Sequence, residues 1–174
     1  MKALDRRVLL AFVLATLSGT LLHFVHDFFP NTLTALFAPV NESIWEHLKL
    51  VYWPYLIAVL LLTRGEGSKG RRGPWLLSLL TVCAVMLGVG YFYHVTLRGD
   101  SRVFDIGFYV VLMGAAFLLP RLFWRLSEQR VLNDALWFTV VLLGASTFLF
   151  TFYPPEGLLF VDGRALHTWV TIPW

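Results

Sequence analysis

The sequence predicts an all-α integral membrane protein, a bundle of five transmembrane helices. Three observations carry that prediction. Of its 174 residues, 57% are hydrophobic and only 14% are charged, against about 25% charged in an ordinary soluble domain. Five apolar runs have the length of about 20 residues that a helix needs to cross a hydrocarbon core. The lysines and arginines gather in alternate connections between those runs, as the topology of a multi-pass protein requires.

The first run extends from Val8 to Phe29 and closes at Pro30. Lys2, Arg6 and Arg7 before it resemble the start of a secretory signal. The run continues into His23, His26 and Asp27 without a small-x-small cleavage site, so it reads as a first span. The second run, Asn41 to Thr63, contains Pro54, which predicts a kink and a gap that neighbouring helices fill. The third, Pro74 to His94, opens with proline in the first turn, where its missing N–H costs nothing. The fourth, Val103 to Leu119, is short and stops at Pro120. The fifth, Ala135 to Tyr153, stops at Pro154 and Pro155. Backbone polar groups must be satisfied within lipid, so each run is expected to be helical. One domain, residues 1–174, covers the chain, and residues 154–174 form an interfacial tail that includes Trp169 and Trp174.

Ten basic residues fall on one side of this arrangement: Lys2, Arg6, Arg7, Arg64, Lys69, Arg71, Arg72, Arg121, Arg125 and Arg130. Four fall on the other: Lys49, Arg98, Arg102 and Arg164. Positive-inside bias then puts the N-terminus in the cytoplasm, the C-terminus outside and the protein in the plasma (inner) membrane. The stretch from Arg121 to Asp134 mixes charges with Leu122, Phe123 and Trp124 and reads as a short amphipathic helix at the inner interface. The lone Cys83 excludes a disulfide framework or a thiolate metal site. No phosphate-binding glycine loop, nucleophile elbow or nucleic-acid signature occurs. The expected partner is the lipid bilayer, with a homo-oligomer or a membrane partner subunit left open and the substrate unknown.

The polar residues are distributed unevenly. All five histidines fall at or beyond the outer helix ends, as do Asp27, Glu42, Glu46, Asp100, Asp105, Glu156 and Asp162. Positive-inside bias does not account for histidine. His23 pairs with His26 at i, i+3 and with Asp27 at i, i+4, so the three share a helix face. His23 lies more than a turn inside its apolar run, and ionisable groups at such depth face a bundle interior. Asn41 is the expected N-cap of the second helix, with Glu42 in its first turn against the helix dipole. Glu46 then lies one turn deeper on the same face, beside His47. Lys49 could neutralise Glu46 at i, i+3. His94 ends the third helix and Asp105 starts the fourth, across a short loop.

Imidazole and carboxylate together suit a divalent metal such as zinc. The expected ligands are His23, Asp27, His47, His94 and Asp105, with Glu42 and Glu46 as catalytic carboxylates. No HExxH spacing is present. Three readings follow: the metal site of an outward-facing membrane hydrolase, an ion or small-molecule binding or transport component, and a membrane scaffold whose polar cap only ties helix ends together.

The stretch Pro30-Asn31 and then Phe37-Ala38-Pro39-Val40-Asn41-Glu42-Ser43-Ile44-Trp45-Glu46-His47-Leu48-Lys49 resembles the signature of a family of small, uncharacterised bacterial multi-pass membrane proteins. Phe104-Asp105-Ile106, and Tyr153-Pro154-Pro155-Glu156-Gly157-Leu158-Leu159-Phe160 followed by Asp162, are similar to it as well. The ending after Asp162 departs from the Asp-Pro-x-Thr-Gly-like ending of such proteins, which sets His167 aside. The resemblance implies the membrane class and no particular activity.

Overall fold

A computed structural model describes residues 6–64, 72–125 and 130–162. Among these residues it is all-helical, with six helices and no strand. They are α1 (Arg6–Phe28), the short α2 (Thr32–Phe37), α3 (Ile44–Leu62), α4 (Arg72–Gly90), α5 (Arg102–Leu118) and α6 (Arg130–Phe152). A π-helical turn, Tyr91–Thr96, prolongs α4, and a 3-10 turn, Leu119–Arg121, prolongs α5 through Pro120. Five of these segments are long and apolar enough to cross a membrane: Arg6–Phe28, Ile44–Leu62, Arg72–Thr96, Arg102–Arg121 and Leu132–Phe152. They correspond to the five runs in the sequence.

Two boundaries differ from the sequence reading. Helix α6 begins at Arg130 and takes in Asp134, while residues 126–129, the middle of the expected interfacial segment, lie outside the described residues. Helix α3 begins at Ile44, not at Asn41, because Ser43 is its N-cap and accepts from the backbone N–H of Glu46. The Asn41 side chain instead accepts from the Ser43 N–H at 3.0 Å, an Asx turn just before the helix. Most of the Arg64–Gly73 loop, and the tail beyond Asp162 with His167, Trp169 and Trp174, lie outside the described residues.

The helices pack around α3. Its buried residues include Leu48, Val51, Tyr52, Tyr55 and Val59, which meet Leu76, Leu79 and Val82 of α4, Met113 of α5 and Val140 of α6. Tyrosine hydroxyls join the helices through backbone carbonyls. Tyr52 donates to Val140 at 2.7 Å, Tyr55 to Ala116 at 2.7 Å and Tyr109 to Thr16 at 2.9 Å. Ser78 of α4 donates to the same Ala116 carbonyl. Such bonds suit a setting in which a helix carbonyl has no water to turn to.

At the two extremes, burial runs against apolarity. Helix α1 is the most apolar of the five, yet 11% of its most apolar stretch is covered by the bundle. Helix α3 is the least apolar, and 61% of its stretch is covered. Leu14 and Leu21 of α1, Val111 of α5 and Phe138 of α6 keep 63%, 67%, 70% and 70% of their surface uncovered. Water as solvent drives the reverse order, since it rewards burying the most apolar surface.

One close approach sets the height of α1 against α3 and α5. Pro54 lies inside α3 and has no N–H, so the carbonyl of Leu50 lacks its i+4 partner. That carbonyl faces Gly19 of α1, where a Cβ would collide with it and with the Tyr109 hydroxyl. The expected gap at the proline is therefore filled by a backbone that only glycine can bring so near. Ala15 and Gly19 are the buried residues of α1, and His23 continues their stripe one turn further on.

Gly19→Ala should lower stability by about 1–3 kcal/mol through overpacking. Gly88→Ala in α4, where a Cβ meets nothing within 4 Å, should be neutral or raise it by up to about 1 kcal/mol through helix propensity. Thermal unfolding in detergent compares the two; equal effects would contradict the three-helix close approach.

Candidate metal centre at the helix ends

The α3 N-terminus divides its polar residues between two sides. Glu42 precedes the helix, so it does not share a face with Glu46 as an i, i+4 pair would. Glu46 turns inward. Its Oε2 lies 2.7 Å from the ammonium of Lys49 and accepts from the Val40 N–H at 2.9 Å. Its Oε1 accepts from the Thr151 hydroxyl of α6 at 3.0 Å. Lys49 is fully buried and also donates to the carbonyls of Ala35 at 2.7 Å and Ala38 at 3.2 Å. This pair ties the α1–α3 connection, α3 and α6 together. It has no donor atom in the three-ligand group described below, and Lys49 neutralises Glu46 as the i, i+3 spacing allowed.

Glu42 and His47 face α1. His47 Nε2 lies 3.2 Å from Glu42 Oε2, and His23 Nε2 lies 4.0 Å from Glu42 Oε1. The two imidazole rings are 5.3 Å apart between centroids. One donor atom from each of His23, Glu42 and His47 lies within 4.8 Å of the other two, close enough to hold a metal ion. All three side chains are part-buried, with 31%, 23% and 26% of their surfaces accessible.

The tautomer of His47 follows from its partners. Nδ1 lies 2.8 Å from the Ser43 carbonyl oxygen, which can only accept. Nδ1 therefore carries a proton and donates it. In the neutral ring Nε2 is then a lone pair, and it faces a carboxylate that also only accepts. Two acceptors at 3.2 Å need a positive species between them, a proton or a metal cation. A backbone carbonyl that fixes one ring nitrogen and aims the other is how proteins orient metal-binding histidines.

The remaining site residues lie apart from this group. Asp27 is exposed in the last turn of α1. His26 bonds Thr34 of α2 at 3.1 Å, which helps dock that helix. His94 lies in the π-helical turn, its Nδ1 3.0 Å from the Gly99 carbonyl and its Nε2 3.1 Å from Asp105 Oδ1. Gly99 packs on the face of Tyr93, where a Cβ would collide with the ring, and Tyr93 stacks on Phe104 at 3.8 Å. Of the seven residues singled out by the sequence, the structure thus joins three in one group and two in a neighbouring pair. Ser43, Gly19 and Gly99 were missed as supports. The Ser43-Ile44-Trp45-Glu46 spacing of a capping box could have identified the first.

Lys49→Ala leaves Glu46 without its counter-charge in a dry site and strips two buried carbonyls of their donor. It should cost about 3–5 kcal/mol. The double substitution Glu46→Leu with Lys49→Met removes the uncompensated charge and should recover part of that loss, measured as Tm in detergent. A Lys49→Ala protein as stable as the parent would contradict the structural assignment of the pair.

No curated protein and no solved structure matches the chain. A family model described as a family of unknown function matches residues 1–167, nearly the whole sequence. The chain therefore belongs to that family of unknown function, DUF6512.

Proposed function

We propose that the chain is a multi-pass plasma-membrane protein that binds one divalent transition metal, of which zinc is the best fit, through His23, Glu42 and His47. The observation that carries this reading is the face-to-face arrangement of His47 Nε2 and the Glu42 carboxylate. Ser43 fixes it, and His23 stands on the other carboxylate oxygen. Two imidazoles and one carboxylate form a donor set used by catalytic zinc, which keeps a fourth position open. A contraction would bring donors that now lie within 4.8 Å of one another onto an ion at bond lengths of about 2.0–2.2 Å.

Membrane insertion is supported by the two extremes among the five long helices, the most apolar being the least buried and the least apolar the most buried. Orientation is supported by the arginines. Arg6 and Arg7, Arg64 and Arg72, Arg121 and Arg125, and Arg130 all stand at the helix ends opposite the histidines. The N-terminus is then cytoplasmic and the metal centre faces outward. For Glu46, Lys49 and His26 the bundle-tying reading is favoured instead, because their polar atoms are taken up by the helices they join.

Metal analysis of full-length protein purified in detergent tests the first half. One equivalent of zinc is expected in the parent and in Asp27→Asn, and about ten-fold or greater loss of affinity in His23→Ala, Glu42→Gln and His47→Ala. Affinity should also fall as the medium is acidified, because the ligands must be deprotonated to bind. A parent that holds no stoichiometric zinc, manganese or iron, and gains no thermal stability from any of them, would sink the reading.

Orientation has its own test. In a Cys83→Ala background, Asp100→Cys should react with a membrane-impermeant maleimide on intact cells, and Leu122→Cys only after lysis. The opposite pattern would reverse the topology.

A further inference from the structure

His94 and Asp105 form a second polar unit that the three-ligand centre does not use, and the helix register brings that unit to the centre. At the close approach described above, Gly19 of α1, Leu50 of α3 and Tyr109 of α5 meet at one level. Helix α1 runs toward the histidine end, whereas α3 and α5 run away from it. One turn from the meeting point toward that end lie His23 on α1, His47 on α3 and Asp105 on α5. At 1.5 Å per residue, each stands about 4.5–6 Å above the contact. The three residues therefore sit at one height around one axis, and Asp105 acts electrostatically on His47.

Asp105 is held rather than free to swing. His94 donates from Nδ1 to the Gly99 carbonyl, and a proton held between its Nε2 and Asp105 Oδ1, 3.1 Å apart, joins the two. The loop behind them is closely built. Gly99 donates its N–H to the Tyr93 carbonyl at 2.9 Å, and Ser101 caps α5 by accepting from the Phe104 N–H. Next to it, Arg98 adopts a left-handed φ of 54°, an uncommon conformation for a non-glycine residue that the surrounding loop holds in place. The π-helical turn that carries His94 is a feature of the same kind. With Oδ1 engaged by His94, Oδ2 of Asp105 is the oxygen left to accept a proton.

We propose that Asp105 is the proton acceptor of the metal centre and that His94 positions it. The site then hydrolyses an ester of a carboxylic or phosphoric acid presented at the membrane interface. This inference rests on the metal reading above. A His2Glu ion with an open position polarises water and the carbonyl or phosphoryl oxygen of an ester, and a neighbouring carboxylate completes the chemistry by taking the proton. In the step, a water molecule at the open position loses a proton to Asp105. Its oxygen bonds to the acyl carbon or phosphorus, the ester C–O or P–O bond breaks, and the leaving alkoxide takes the proton back from Asp105. No electron is transferred and no further reactant is needed.

The test uses zinc-loaded full-length protein in detergent, with p-nitrophenyl butyrate and bis(p-nitrophenyl) phosphate as probes. The parent should cleave at least one faster than the metal-free protein. Asp105→Asn should keep its zinc and its Tm and lose about 10²–10⁴-fold in rate. Formate should restore part of the rate to Asp105→Ala, which a merely structural carboxylate would not allow. His94→Gln, which can still donate to Asp105, should keep more activity than His94→Ala. Three results would overturn the inference: neither probe cleaved faster than by metal-free protein, Asp105→Asn as fast as the parent, or Asp105→Asn losing zinc, which makes the carboxylate a ligand. A parent that binds no metal overturns the metal reading itself, and zinc content separates the two failures.

Discussion

The buried ion pair between Glu46 and Lys49 is the interaction around which this end of the molecule is arranged. A carboxylate 3% exposed and an ammonium fully buried can persist in a dry interior only if every remaining polar valence is met. Meeting them fixes four neighbours at once. Ala35 and Ala38 bring their carbonyls, Val40 its N–H and Thr151 its hydroxyl. The α1–α3 connection is thereby folded over the bundle end, and α6 is drawn against α3. With that side of α3 occupied, Glu42 and His47 are left on the side that faces α1.

A second constraint decides what they meet there. Pro54 strips the Leu50 carbonyl of its helical donor, and Gly19 is the residue of α1 that can lie against it. That contact fixes α1 at a height which puts His23, four residues on, beside Glu42. Position in the core and chemistry at the rim are thus coupled through α3, the least apolar and most buried of the five long helices. The polar atoms that make α3 a poor lipid-facing helix are the ones that join it to α1, α2, α5 and α6.

Much of this was legible in the sequence. Five apolar runs bounded by prolines and arginines give the five long helices, because helix length and apolarity are local properties. The gathering of histidines and acids at one end follows from chain alternation alone. Which of them meet was not legible. Glu42 and Glu46 read as one face only if the helix begins at Asn41. The cap falls instead on Ser43, whose hydroxyl reaches the third residue of the helix, and the two-residue shift sends the carboxylates in different directions. Asp27 reads as a partner of His23 by spacing, yet the stripe that faces α3 runs through Ala15, Gly19 and His23 and leaves Asp27 exposed. The His94–Asp105 pair depends on a π-helical turn and on Gly99 packing against Tyr93, tertiary details that periodicity does not encode.

The central claim is that His23, Glu42 and His47 are one metal centre built by these packing constraints. X-ray absorption at the metal edge of the zinc-loaded protein tests it most directly. The account predicts a first shell of nitrogen and oxygen at about 2.0–2.2 Å, with the outer-shell scattering of two imidazole rings, and one ring when either His23 or His47 is replaced. A shell of oxygen alone, or two rings persisting in both replacements, would contradict it.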